Sequence, residues 1–135
     1  MNFKTDFKTQ WITGKLEPEA INYAEEFGKY LCDLQGDRPG RMALTTSQIR
    51  NFFGEIKRIQ GQGYDKERTS FLLIRPKLAY AEARILSKSG KTRMSDFREV
   101  VEKAHNVVST SAHFRNFVDF LEAILAYHKA NGGRD

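Results

Sequence analysis

Residues 44–59, LTTSQIRNFFGEIKRI, leave the chain little freedom in what it can fold into. Thr45 is a strong N-cap residue, Gln48 three positions on completes a capping box, and Leu44 with Ile49 stand at the positions of a hydrophobic staple. The helix start is thus specified locally, before tertiary packing contributes. At about 100° per residue, Ile49, Phe52, Phe53, Ile56 and Ile59 share roughly a third of the circumference, the stripe of a core-facing helix. Arg50 and Lys57 nearly eclipse each other on one flank of that stripe. The helix has one face for a core and a cationic edge for a partner.

The other segments repeat the helical period. Residues 1–16 show no sustained period, yet Phe3, Phe7, Trp11 and Ile12 are too apolar for a solvated tail. The arm is expected to dock, on its own core or on a neighbouring subunit, or to remain partly ordered. Pro18 suits a first helical turn, and Ile21, Ala24, Phe27, Leu31 and Leu34 follow at helical spacing to a stop at Gly36. Residues 37–43, DRPGRMA, form a turn with two arginines, and Gly61 and Gly63 end the helix that follows. Residues 65–87 read as helix with Pro76 in its path, so a kink or break is expected near Arg75. Leu78, Ala81 and Ile85 lie on one side of this helix, and Lys77, Tyr80, Arg84 and Lys88 line another.

Residues 87–93, SKSGKTR, read as a loop, and Ser95 as the cap of a helix carrying Phe97, Val100, Val101, Ala104, Val107 and Val108 inside. Thr110 or Ser111 caps the last helix. Its stripe of Phe114, Phe117, Val118, Leu121, Leu125 and His128 is widened by Phe120, Ile124 and Tyr127. That is more than one packing partner needs, so the helix is either central or has a second face for assembly. Residues 131–135 form a frayed tail. No segment shows strand alternation, and the fold class is all-α: one helical domain over residues 1–135, a compact bundle of about five helices.

Charge narrows the range of partners. The net charge of +5 is concentrated: residues 1–74 contribute +1 and 94–135 contribute −1, while 75–93 contribute +5 with Glu82 as their one acid. A local excess of that kind is the footprint of a polyanion contact. Three cations beside Tyr80 suit a nucleic acid, because cations meet phosphates and rings stack on bases. No apolar run approaches membrane-spanning length, and the first residues lack a secretory h-region. Cys32 stands alone, which fits a reducing, cytoplasmic setting.

Catalytic patterns do not form. Gly90-Lys91-Thr92 resembles the tail of a phosphate-binding loop, but Ile85 occupies the required glycine position and no strand precedes it. His105, His113 and His128 have no Cys, His or carboxylate at ligand spacing, and the carboxylates are scattered apart from the adjacent Glu25 and Glu26. Neither a catalytic residue, a metal ligand nor a cofactor site is expected.

With these elements placed, LTTSQIRNFFGEI, RPKLAYAEAR and FRNFVDFLEAILAYHK together resemble the small subunit of type III-A CRISPR effector complexes, the Csm complexes, in the family's order and spacing. The resemblance spans the chain after residue 17. It implies a non-catalytic helical protein that stacks with copies of itself into a short filament. That filament faces the guide-binding backbone subunits, meets the large polymerase-like subunit at one end, and contacts guide and target RNA through their backbones. Carried onto this chain, the RNA-contacting residues would be Arg50, Lys57, Lys77 and Arg84, with Arg41, Arg58 and Tyr80 as secondary candidates. A helical protein-interaction adaptor that never touches nucleic acid is the alternative.

Overall fold

The structure, a computed structural model, describes residues 2–32, 46–85 and 88–131, the side chains of 46–48 and 88–91 excepted. Helices follow one another in the order α1 (Phe3–Asp6), α2 (Gln10–Thr13), α3 (Pro18–Leu31), α4 (Thr46–Gln62), α5 (Arg68–Leu72), α6 (Ile74–Ala83), α7 (Lys88–Asn106) and α8 (Ser111–Ala130). No strand occurs among the described residues. Five helices have ten residues or more, and the fold is all-α as the sequence pattern requires.

The core gathers on α8. Thr110 caps it, its hydroxyl accepting from the His113 amide at 3.1 Å. Phe114, Phe117, Val118 and Leu121 are buried, and so are Phe120, Ile124 and His128. Of the two readings of this wide stripe, the structure selects the central helix: α8 packs on α2, α3 and α4. Its crossing with α3 is close because residue 28 is glycine. A Cβ there would lie 2.6 Å from the His128 amide nitrogen, 2.8 Å from the Tyr127 Cβ and 2.9 Å from the Ile124 carbonyl.

The remaining breadth of α8 is covered by the N-terminal arm, which docks on the chain's own core. Asn2 caps α1 by accepting from the Lys4 amide at 3.1 Å. Phe7, Trp11 and Ile12 are buried, with the Phe7 and Trp11 rings 5.4 and 6.1 Å from that of Phe120. Two polar ties fasten the arm: Tyr23 donates to the Phe3 carbonyl at 2.6 Å, and the Asn116 amide donates to the Ile12 carbonyl at 2.9 Å.

Several sequence expectations need correction. Ile21 is 37% exposed and lies off the buried stripe of α3, which Ala20, Tyr23, Ala24, Phe27 and Leu31 form instead. The break expected near Arg75 comes earlier, at Leu73 between α5 and α6, so Pro76 falls in the first turn of α6, where its missing N–H costs little. Gly61 is still helical. The turn is made at Gly63, whose φ of 105° is one that glycine adopts without penalty, and whose N–H bonds the Ile59 carbonyl at 2.8 Å.

The expected loop over 87–93 is the start of α7 from Lys88 onward, and Ser95 lies inside that helix rather than capping it. Burial of Arg93 and Met94 against the bundle outweighs the helix-averse composition of SKSGKTR. Lys88 belongs to α7 and does not continue the line of Lys77, Tyr80 and Arg84. Gly36, the Leu44–Thr45 start signal and residues 132–135 lie outside the described residues.

Gly28→Ala should destabilise the protein by about 1–3 kcal/mol, because all three obstructing atoms belong to the backbone or to a Cβ. Gly54→Ala, where a Cβ meets nothing within 4 Å, should instead stabilise it by about 0.5–1 kcal/mol. Urea unfolding followed by circular dichroism measures both.

Candidate nucleic-acid interface

The basic surface is built by α6 and its neighbour α4. Ile74 and Leu78 point α6 into the core, which turns Lys77, Tyr80 and Arg84 outward. Between α6, α4 and the start of α7 runs a groove of about 410 Å³. Its floor is apolar, with Phe52, Ile74, Leu78, Ile85 and Met94, and its rim carries Asn51, Glu55, Lys77, Tyr80 and Arg84. Tyr80 is 66% exposed, and the Arg84 guanidinium sits 5.6 Å from its ring centroid. A large exposed ring beside two cations offers both a stacking surface and phosphate partners.

Glu55 organises the polar rim. Its Oε2 accepts from the Lys77 ammonium at 2.9 Å, and its Oε1 from the Arg58 Nε at 2.7 Å. Arg58 extends further, to Glu67 at 3.2 Å and to the Ser70 hydroxyl at 3.1 Å, and that hydroxyl donates back to Glu67 at 2.7 Å. The Arg58 guanidinium, and after it the Lys77 ammonium, hold the Glu55 carboxyl down to about 2 from its ordinary 4.5. The Glu67 carboxyl is also lowered, first by the Ser70 hydroxyl and then by Arg58.

The structure divides the residues named from the sequence. Lys77, Arg84 and Tyr80 meet at one groove. Arg50 and Lys57 are exposed on the other flank of α4, about 140° and 160° around the helix from Glu55. Lys57 donates to the Gln60 side chain at 2.9 Å and lies 5.9 Å from the Phe53 ring centroid. The four leading cations therefore lie on two sides of α4, Lys77 and Arg84 of α6 on one and Arg50 and Lys57 on the other, separated by the outward face that carries Gly54. Arg58 sits inside the carboxylate network, and Arg41 lies outside the described residues.

Two residues of this region were not singled out from the sequence. Glu55 was detectable from its spacing of three to Arg58, the register of a helical ion pair. Arg93, counted there with the basic loop, is 4% exposed. It stacks 4.3 Å from the Tyr30 ring centroid and donates to the Tyr30 carbonyl at 3.2 Å. Arg75 is also engaged internally, donating to the Asn106 side chain at 3.0 Å. Part of the charge excess over 75–93 thus braces the bundle.

The histidines have structural surroundings. His105 stacks on Phe71 at 4.0 Å and its Nε2 lies 2.7 Å from the Phe71 carbonyl, while burial pulls its pKa below 6.5. His113 Nδ1 accepts from the Ser109 amide at 3.2 Å. Among the described residues no group of three His, Cys, Asp or Glu is placed to hold a metal ion, and no helix is long and apolar enough to cross a membrane.

The fold and this site define an all-helical protein with an aromatic and cationic groove on its outer surface. The chain belongs to the Csm2 type III-A family, whose model matches residues 17–134, and is thereby a small subunit of the type III-A CRISPR complex. It is similar to the "CRISPR system Cms protein Csm2" of Streptococcus thermophilus, 27% identical over 119 residues, which cover 84% of this chain and 94% of that one. No solved structure gives a significant match.

The ionised state of Glu55 has a pH signature. A carboxyl lowered on folding contributes stability that is complete above about pH 4.5 and is lost as pH falls toward about 2. In a carboxyl-resolved NMR titration Glu55 should have its midpoint at about 2, well below the ordinary glutamate value of 4.5. Lys77→Gln should move that midpoint upward, and Arg58→Gln should move it further.

Proposed function

We propose that this chain is a non-catalytic, cytoplasmic subunit whose copies stack along the type III-A complex and carry the guide and target RNA by their phosphate backbones. The other partners are the guide-binding backbone subunits and the large polymerase-like subunit. The observation that carries the reading is the exposed Lys77, Tyr80 and Arg84 strip along the α4–α6 groove, in a chain of this family. In a guided complex base pairing reads the sequence, so the protein needs backbone contacts and no base recognition. A few cations per copy bind weakly, and the alignment of several copies multiplies their effect.

Lys77 and Arg84 lead, with Tyr80 as a stacking surface. Arg50 and Lys57 form a second contact that a strand reaches by crossing the outer face of α4, where Gly54 presents no side chain. Arg58 contributes less, because its guanidinium is already shared between Glu55 and Glu67. Arg41 remains a secondary candidate from the sequence resemblance.

The purified protein should bind single-stranded RNA weakly, without sequence preference, and more weakly as salt rises. Lys77→Glu with Arg84→Glu should lower affinity about tenfold or more at low salt and flatten the log K against log salt slope by about 1.4. Arg50→Glu with Lys57→Glu should produce a smaller loss. Binding that is indifferent to salt counts against the reading. Unchanged RNA content in a normally assembled complex carrying all four reversals would replace it with a protein-interaction adaptor.

A further inference from the structure

Glu55 is an acid on the rim of a surface otherwise suited to anions. Arg58 holds both of its oxygens, donating from Nε to Oε1 at 2.7 Å and from Nη2 to Oε2 at 3.3 Å, and Lys77 adds a single contact to Oε2 at 2.9 Å. The Glu55 side chain is 19% exposed and that of Lys77 is 56%. The carboxylate is therefore the fixed partner and the ammonium the movable one. When Lys77 swings away, Arg58 stays, itself steadied by Glu67 and Ser70. The negative charge remains where it was.

We infer that Glu55 limits the polyanion affinity of the α4–α6 groove, because its carboxylate holds the ammonium that a phosphate would take and repels the phosphate that approaches. The inference rests on the RNA-backbone reading above. A phosphate drawn to Lys77 has two routes. It detaches the ammonium and leaves the carboxylate facing an anion a few ångströms away, or it shares the ammonium with the carboxylate at closer range. Both routes weaken the contact. Arg84, about two turns along the same face and stacked on Tyr80, has no such competitor among the groove residues. Each copy then binds less tightly than its cations permit, and strength comes from the number of aligned copies. Arg58 also keeps Glu55 ionised well below neutral pH, so protonation does not relieve the restraint under ordinary conditions.

The test is anisotropy of a labelled single-stranded RNA titrated with the full chain across a salt series. Glu55→Gln should bind about three- to tenfold tighter at low salt, with a slope steeper by about 0.7 for the ammonium that gains a phosphate. Adding Lys77→Gln should remove most of that gain, leaving only the part that comes from relieved repulsion. Glu26→Gln, the same charge change at an exposed position of α3, should leave binding unmoved.

Equal tightening by Glu26→Gln would overturn the inference, as would a gain that survives loss of Lys77 undiminished. So would unaltered or weaker binding by a Glu55→Gln protein that melts like wild type. If Glu55→Gln does not fold, Glu55→Asp keeps the charge and shortens its reach. That variant should show a smaller gain in the same direction, and no gain overturns the inference. Two failures remain separable. If Lys77→Glu with Arg84→Glu leaves affinity intact, the RNA-backbone reading itself falls. If that variant loses affinity while Glu55→Gln gains none, only the role given to Glu55 falls.

Discussion

The close crossing of α3 and α8 at Gly28 is the constraint on which the other placements depend. With no Cβ at that point the two helix backbones approach until the 124–128 turn of α8 lies directly against α3. That approach buries Phe27 and Leu31 on one helix and Ile124 and His128 on the other. It also sets where the remaining sides of α8 face: one toward α4, one toward the arm. The outward placement of α6 follows at one remove, since α6 packs on α4 and α7 rather than on α8.

Polar interactions then decide what the surface offers. Among the described residues, the cations around α4, α6 and the start of α7 include three different kinds of surroundings. Arg93 is enclosed and stacked on Tyr30, and serves packing. Arg58 is caught between two carboxylates and links α4 to the turn before α5. Lys77 and Arg84 are exposed at the groove rim, the first held by one carboxylate and the second resting on an aromatic ring. Net charge alone does not separate these kinds. Exposed ion pairs contribute little to stability, so their effect on the availability of a cation outweighs their effect on the fold.

Where local chemistry decides, the sequence was enough. Thr110 caps α8 because its hydroxyl serves an amide three residues on. The breadth of the α8 stripe left a central helix and an assembly face both open, and packing on α2, α3 and α4 decides for the first. Pro76 signalled an interruption that falls at Leu73, a few residues ahead of it. Where distant contacts decide, the sequence misled. SKSGKTR is polar, with a glycine in it, and reads as a loop until Arg93 and Met94 acquire a bundle to bury against. Ile21 looked like core because it keeps the period, yet the arm and α8 leave it partly exposed. For the candidate site, the helical period correctly grouped Lys77, Tyr80 and Arg84. It did not show that the Arg50 flank faces away from them, because the direction in which α4 meets α6 depends on tertiary packing.

The N-terminal arm stands apart in one respect. The span shared with the family begins at residue 17, whereas Trp11 and Ile12 are enclosed in the interior and Phe7 is buried beside them. Phe7 and Trp11 complete the cover over Phe120, a ring that Tyr23 of α3 meets from another side. A relative that keeps this last helix but starts differently must shelter the same ring by other means, with a smaller residue there or with a neighbouring polypeptide laid across it. The first dozen residues and position 120 are therefore coupled through packing, however far apart they lie along the chain.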